Sequence, residues 1–317
     1  MINHISIDGM DEELNVTYLM FGGHVELHKY RYLYFMVVFT VYILIILSNS
    51  TIGYLIWNHQ DLHEPMYILI AALLLNSVLF STNIYPKLLV DILSEKQIIS
   101  YQACLVQFYM FYVFAYSEFL LLAAMAYDRH VSICKPLQYP TIMTKTTIII
   151  FLALSWLLPA CYHVGSVTLT ANQKLCSFNL EMIFCNNSIL KLFCVPSISV
   201  SLYGVFFFQW CVVVPAIFIV FTYSRILIIC YHSSGQVRKK AAQTCVPHLL
   251  VLINHFYLLI CSIITARIES NIPNTARVIM NLQIVLYNPL FNPVIYGLKM
   301  TEIHKHLMSL LCLCNKN

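Results

Sequence analysis

Seven long apolar stretches are the feature that most restricts how this 317-residue chain can fold. An α-helix needs about 20 apolar residues to cross the hydrocarbon core of a bilayer. Inside lipid, every backbone polar group must also find its partner within the protein. We therefore predict an all-α membrane protein, a bundle of seven transmembrane helices. The predicted spans are Tyr30–Trp57, Pro65–Leu93, Cys104–Cys134, Thr146–Ser166, Ser197–Tyr231, Ala241–Arg267 and Arg277–Leu298.

The composition of the chain excludes several other classes of protein. Apolar residues make up 60% of it and charged residues 10%, against roughly 45–50% and 25% in soluble domains. The apolar excess excludes disorder, and the scarcity of charge excludes a nucleic-acid-binding protein. The formal net charge of +4 is too small to imply an acidic partner. The lipid bilayer is the partner that this composition predicts.

The segments between the spans predict an extracellular N-terminus. With that orientation ten Lys and Arg residues lie on the cytoplasmic side and eight on the outer side, a weak bias in the expected direction. Asn15 and Asn186 begin glycosylation sequons, and both fall outside. No cleavable signal is evident, so the first span should act as its own insertion signal. We expect an extracellular tail at 1–29, a domain of seven transmembrane helices at 30–298 and a cytoplasmic tail with an amphipathic helix at 299–317.

The twelve cysteines divide by compartment. An even number in the oxidising outer compartment indicates disulfide bonds, but four cysteines allow three pairings and the residues alone leave the choice open. Cys312 and Cys314 follow a short amphipathic segment and are candidates for palmitoylation at the inner membrane surface. The remaining six are expected to be small buried hydrophobic residues. The four outer cysteines are Cys104, Cys176, Cys185 and Cys194.

Neither a metal site nor a catalytic site is predicted. None of the twelve histidines forms a spaced cluster with cysteines, and His304 and His306 point in different directions from one tail helix. A membrane enzyme would need a paired nucleophile and base, or a metal cluster, within the spans. The sequence offers neither, so we expect no enzymatic activity and no cofactor.

Ionisable residues within the spans are the strongest functional candidates, because a charge at depth in a membrane is costly. Glu118 lies in the middle of the third span, either as a hydrogen-bonded carboxyl or as a sodium or proton site. Asp128 and Arg129 end the same span, where adjacent opposite charges neutralise each other and the arginine can reach the interface. In the seventh span Pro293 follows Asn292 and predicts a bend, which suits a helix end with two positions.

Four motifs give the chain a recognisable resemblance. They are Leu62–Tyr67 (LHEPMY), Met125–Tyr139 (MAYDRHVSICKPLQY), Lys240–Leu249 (KAAQTCVPHL) and Pro289–Gly297 (PLFNPVIYG). Seven spans with these motifs resemble the rhodopsin-like G-protein-coupled receptors, and in detail the olfactory (odorant) receptor branch. The resemblance covers nearly the whole chain. His130 departs from the usual tyrosine, and Ser77 stands where the superfamily has an aspartate, so the usual sodium pocket is incomplete.

The resemblance implies a signalling mechanism. Asp128, Arg129 and His130 should engage a G protein, of the stimulatory type that raises cyclic AMP. In the active state Arg129 should meet Tyr223 and Tyr296, with Asn292 and Pro293 taking part in the change. The resemblance also implies disulfide bonds from Cys104 to Cys185 and from Cys176 to Cys194. It further implies a multi-pass protein of the plasma membrane.

Ligands of this family bind between the outer halves of the third, fifth and sixth spans. There this sequence offers an apolar, aromatic surface without a carboxylate, although each residue could equally be bundle core. We expect a neutral apolar odorant rather than an acid, and an amine least of all. Arg267, at the outer mouth, is either a solvated charge or a clamp for an acidic group. The other candidates are Phe108, Phe111, Tyr112, Ala115, Phe207, Cys211, Tyr257, Ile260, Cys261 and Ile264.

The main alternative function is a membrane transporter or channel that uses Glu118. Such a protein needs polar residues along a continuous path, yet Glu118 alone is ionisable near the middle of the membrane. Inverted repeats, which many transporters contain, are also absent from the sequence. A scaffold or a receptor without a ligand would be a third reading.

Overall fold

The structure is a computed structural model that describes residues 17–23, 27–195, 197–268 and 274–314. Ten α-helices account for most of them. Seven of these are long: α1, α2, α3, α5, α7, α8 and α9. The helices are α1 (Leu27–Asn58), α2 (Pro65–Leu93), α3 (Tyr101–Cys134), α4 (Tyr139–Ile142), α5 (Lys145–Ala171), α6 (Ile198–Phe208), α7 (Val214–Tyr231), α8 (Gly235–Ile268), α9 (Asn274–Lys299) and α10 (Thr301–Cys314).

Five helical segments are long and apolar enough to cross a membrane, with mean hydropathies from 1.5 to 2.3. They are Lys29–Asn58, Pro65–Leu93, Tyr101–Cys134, Lys145–Ala171 and Ile198–Tyr231. The more polar α8 and α9 complete the seven spans, and α10 is the predicted short C-terminal helix. The predicted all-α, seven-span membrane fold is confirmed, and the observed helix ends lie within a few residues of most predictions.

Local sequence signals set several of these helix ends. The hydroxyl of Ser100 accepts a hydrogen bond from the backbone N–H of Ala103 at the start of α3, and Thr144 does the same for Thr147 at the start of α5. Such caps satisfy backbone donors that have no partner inside the helix. At the start of α2, Pro65 occupies a position where the missing N–H costs nothing.

The fifth span, predicted at Ser197–Tyr231, consists of two α-helices joined by a wider turn. Between α6 and α7, residues Gln209–Val213 form a π-helical turn. Pro215 lies in the first turn of α7 and has no N–H to donate to the preceding turn. The wider turn therefore occurs where the regular ladder of backbone hydrogen bonds is already interrupted.

Helix α3 lies at the centre of the bundle and packs against α2, α5, α7 and α8. Along its C-terminal half, a buried core joins these helices to α9 and α10 through residues such as Met66, Met125, Tyr223 and Ile303. By contrast, many large apolar side chains of α1, α5, α6 and α7 are exposed. An apolar exterior of this kind fits a lipid environment.

A small sheet covers the outer end of the bundle, where we had expected only a polar tail. Strand β1 (Tyr18–Phe21) pairs antiparallel with β2 (Ile98–Ser100) and parallel with β3 (Asn179–Leu180). In β1, Leu19 and Phe21 are buried while the alternate residues are exposed. All four residues of β1 are apolar, so the sequence lacks the alternation of polar and apolar residues that indicates a half-buried strand. The end of the N-terminal segment is therefore part of the packed structure.

Candidate functional site

Two disulfide bonds fasten the long second outer loop. One joins Cys104 to Cys185, which are 81 residues apart, and the other joins Cys176 to Cys194, which are 18 apart. This is the pairing that the family resemblance implied. Beside the first bond, the Oε1 atom of Gln107 accepts a hydrogen bond of 2.8 Å from the backbone N–H of Cys185. The loop is thus fixed directly to the outer end of α3.

Removing the bond between Cys104 and Cys185 should strongly destabilise the receptor. In the chain-entropy view, closing a loop of this length contributes about 4–5 kcal/mol to the free energy of unfolding. We expect the C104S/C185S double variant to melt at a lower temperature and to reach the cell surface in much smaller amounts. Cys161→Ser is the matched control, because Cys161 is free and exposed. Equal surface levels of the two variants would contradict the prediction.

An aromatic cluster lies beneath this loop, between α3, α5 and α6. The ring of His163 in α5 lies 5.2 Å from that of Tyr116 and 5.1 Å from that of Phe207, measured between centroids. Phe207 also stacks on Tyr162 at 3.6 Å, and the Tyr162 hydroxyl donates to the backbone carbonyl of Tyr203. We refer to Tyr112, Tyr116, Tyr162, His163 and Phe207 as the aromatic cluster.

His163 is the polar centre of the aromatic cluster. It is buried, and neither of its ring nitrogens has a hydrogen-bond partner among the residues that the structure describes. An unpaired buried polar group costs free energy. Tyr162 and His163 lie on the fourth span, where no ligand contact was expected, and Tyr116 lies beside the face of the third span that was proposed. A histidine within the apolar fourth span was the signal that could have identified the site.

The ligand-site candidates fall into three groups in the structure. Phe108, Phe111, Phe207 and Cys211 are buried, and Tyr112 and Ala115 are partly buried. Tyr257 and Ile260 of α8 are 51% and 54% exposed, so they are not enclosed by the bundle as the first four are. The side chains of Cys261, Ile264 and Arg267 lie outside the described residues.

A buried polar network lies beyond the aromatic cluster along α3 and joins α2, α3, α8 and α9. Glu118 is 5% exposed, and one of its oxygens lies 3.6 Å from the Nδ1 atom of His255. The side-chain amide of Asn288 lies 2.7 Å from that same Nδ1 atom. Asn292 donates to Glu118 at 3.2 Å and to the Ser77 hydroxyl at 3.3 Å. Glu118 is therefore the point at which three helices meet.

At the C-terminal end of α3, Arg129 is paired within its own helix. Its Nε atom donates to the Oδ2 atom of Asp128 at 2.9 Å, and the hydroxyl of Tyr139 donates to the other oxygen at 2.8 Å. Asp128 is fully buried and Arg129 is 8% exposed. Burial, with the adjacent charge of Asp128, raises the pKa of Tyr139. Its hydroxyl therefore stays protonated and can keep donating.

The two tyrosines expected to receive Arg129 are close to this region. Tyr223 and Tyr296 belong to the same buried core as Met125 of α3. The hydroxyl of Tyr223 contacts the Nδ1 atom of His248 in α8, and the hydroxyl of Tyr296 has no hydrogen-bond partner among the described residues. Arg129 is thus bound to Asp128 here, while Tyr223 binds a histidine of α8. His130 is only partly buried.

The molecule is a membrane bundle of seven long helices with a buried polar network and a paired arginine at one end. These features are those of a seven-transmembrane receptor. The family model for the olfactory receptor matches residues 38–314. Olfactory receptor 11A1 of Homo sapiens is 32% identical over 307 residues, covering 94% of this chain and 95% of the relative. Olfactory receptor 1500 of Rattus norvegicus is 31% identical over 311 residues, covering 96% and 97%. The chain therefore belongs to the olfactory receptor family.

This membership confirms the predicted function, an odorant-sensing G-protein-coupled receptor. The alternative of a transporter or channel that uses Glu118 is not supported. The family consists of receptors rather than enzymes, and its members are multi-pass membrane proteins.

Proposed function

We propose that a small, neutral and largely apolar odorant binds among the aromatic cluster, between α3, α5 and the outer part of the fifth span. The observation that carries this proposal is the buried, unpaired ring of His163 among four aromatic side chains. Aromatic rings supply a large apolar contact area. The imidazole can form one hydrogen bond to a hydroxyl or carbonyl group of the odorant.

The lack of an acidic side chain in the aromatic cluster favours a neutral ligand over an amine. None of the cluster's five side chains is a carboxylate, and the nearest buried acid of α3, Glu118, already contacts Asn292 and His255. A cationic ligand would therefore be desolvated without a counter-ion. A clamp for acidic odorants at Arg267 stays a prediction.

Phe207→Ala should weaken the response to the best agonist by about 10- to 100-fold in half-maximal concentration, because truncating a buried aromatic ring removes roughly 1.5–3 kcal/mol of apolar burial. The measurement is a cyclic-AMP assay of receptor-expressing cells against a panel of alcohols, ketones, acids and amines. Phe206→Ala is the matched control, since Phe206 is adjacent and 62% exposed. An equal loss in both variants, or an amine as the best agonist, would contradict the proposed site.

We propose that odorant binding is transmitted through Glu118 to Arg129. The support is the order of contacts along α3, in which Tyr112 and Tyr116 lie in the aromatic cluster, Glu118 in the polar network and Arg129 at the inner end. In the active state Arg129 leaves Asp128 and meets Tyr223 and Tyr296, and a stimulatory G protein binds at Asp128, Arg129 and His130. A bend at Asn292 and Pro293, as the sequence predicts, would allow α9 to move in this change.

Glu118 is also proposed as the site of a sodium ion or a proton. The Oδ1 atom of Asn292 is buried and has no partner among the described residues, and it belongs to the same side chain that contacts Glu118 and Ser77. Carboxylate, amide and hydroxyl oxygens suit a hard cation. With Ser77 in place of an aspartate, a single carboxylate would supply the charge.

We further propose a plasma-membrane receptor with the N-terminus and the small sheet outside. Asn186 lies in the disulfide-bonded loop on that side and would carry a glycan, as would Asn15, which lies outside the described residues. Under this topology 1–29 is the extracellular tail, 30–298 the receptor domain and 299–317 the cytoplasmic tail.

A further inference from the structure

Three side chains that can bind metal ions meet at the cytoplasmic end of the molecule. His59 directly follows α1, Asp61 lies in the short 3-10 helix Gln60–Leu62, and His306 lies in α10. One ligand atom from each lies within 4.8 Å of the others. The Nε2 atom of His306 is 2.7 Å from the Oδ2 atom of Asp61, and the two imidazole rings stack with centroids 3.9 Å apart.

The packing of α10 places these groups together. Met300 and Ile303 are buried in the inner core, and α10 contacts both α1 and α9. His306 is one turn beyond Ile303, so it faces the first inner loop. His59 and His306 are partly buried and Asp61 is exposed, which leaves the cluster accessible to ions from the cytoplasm.

Two imidazoles and one carboxylate form a donor set typical of zinc, with a fourth position for water. Tetrahedral ligands at about 2.1 Å from zinc lie roughly 3.4 Å from one another. Separations of up to 4.8 Å therefore require only small side-chain rotations. A simple His–Asp hydrogen bond would not need the second imidazole, which here stacks directly on the first.

We propose that His59, Asp61 and His306 bind a zinc ion, which cross-links α10 to the first inner loop. The ion would restrain α10 in addition to its apolar contacts, at the face of the receptor that is proposed to meet the G protein. This site does not depend on the odorant or on Arg129.

The test is zinc binding to the purified receptor in lipid nanodiscs, measured by competition with a fluorescent chelator. We expect the wild-type protein to bind one zinc ion at a site that His59→Ala, Asp61→Asn and His306→Ala each weaken by about tenfold or more. His304→Ala is the matched control, because it removes a histidine of the same helix outside the cluster. Equal zinc affinity in the wild type and the three cluster variants would overturn the proposal.

Hydrogen exchange provides a second test, whose main comparison is the wild-type receptor with and without zinc. Zinc chloride should slow amide exchange in Thr301–Cys314 of the wild type and of His304→Ala, but not of His306→Ala. Exchange in α10 that is unchanged by zinc in the wild type would overturn the cross-link.

Discussion

Replacing Arg129 by alanine should abolish G-protein activation while odorant binding and surface expression stay close to wild type. Arg129 is buried beside Asp128. Tyr223 of α7 and Tyr296 of α9 belong to the buried core next to it. A charged side chain that changes its hydrogen-bond partner between two states contributes to the stability of both states. Alanine can form neither contact. The measurement is cyclic-AMP output at matched surface level.

Two further variants make this test specific. Arg225→Ala removes an exposed arginine from the inner part of α7 and should signal normally. Asp128→Asn should raise basal activity, because a neutral amide replaces the carboxylate and holds Arg129 less strongly. Normal signalling by the Arg129 variant, or unchanged basal output from Asp128→Asn, would contradict the proposed role of this pair.

Replacing His255 by alanine should be among the most destabilising single changes in the bundle. It removes the side chain beside Glu118 and leaves the buried carboxylate with the amide of Asn292. A buried polar group that loses its partner costs about 1–3 kcal/mol in the free energy of unfolding, and more when that group is charged. The variant should therefore melt well below the wild type in detergent.

Glu118→Gln in the same background should restore much of that stability, because a neutral amide needs no counter-charge. The comparison is a double-mutant cycle of the wild type, Glu118→Gln, His255→Ala and the double variant. A strongly non-additive cycle is the expected result. Additive effects would show that Glu118 and His255 do not depend on each other for stability.

The fold could be predicted from the sequence because membrane spans are long and their signal is local. Twenty apolar residues in succession have few alternatives in lipid. Pro65–Leu93 was predicted with the observed bounds, since a proline begins the helix and polar residues follow it. The signalling residues were equally accessible, because Met125–Tyr139 is a contiguous motif.

The remaining features depend on contacts between distant segments. His59 and His306 are 247 positions apart in the numbering, and no spacing rule connects them. Strand β1 has four residues and exists because β2 and β3 lie beside it. Likewise, the sequence shows a histidine in the apolar fourth span, but not the aromatic rings of α3 and α6 that surround it. Such sites are defined by tertiary packing, which a single sequence does not display.

The π-helical turn at Gln209–Val213 determines which faces of the fifth span can act together. Phe207 and Tyr223 are both buried although they are 16 residues apart, which in an unbroken α-helix would set them about 160° apart around the axis. One extra residue in the turn reduces that angle to about 60°. Deleting a single residue there would leave every functional side chain present, yet rotate either the odorant-facing half or the G-protein-facing half of this span toward the lipid.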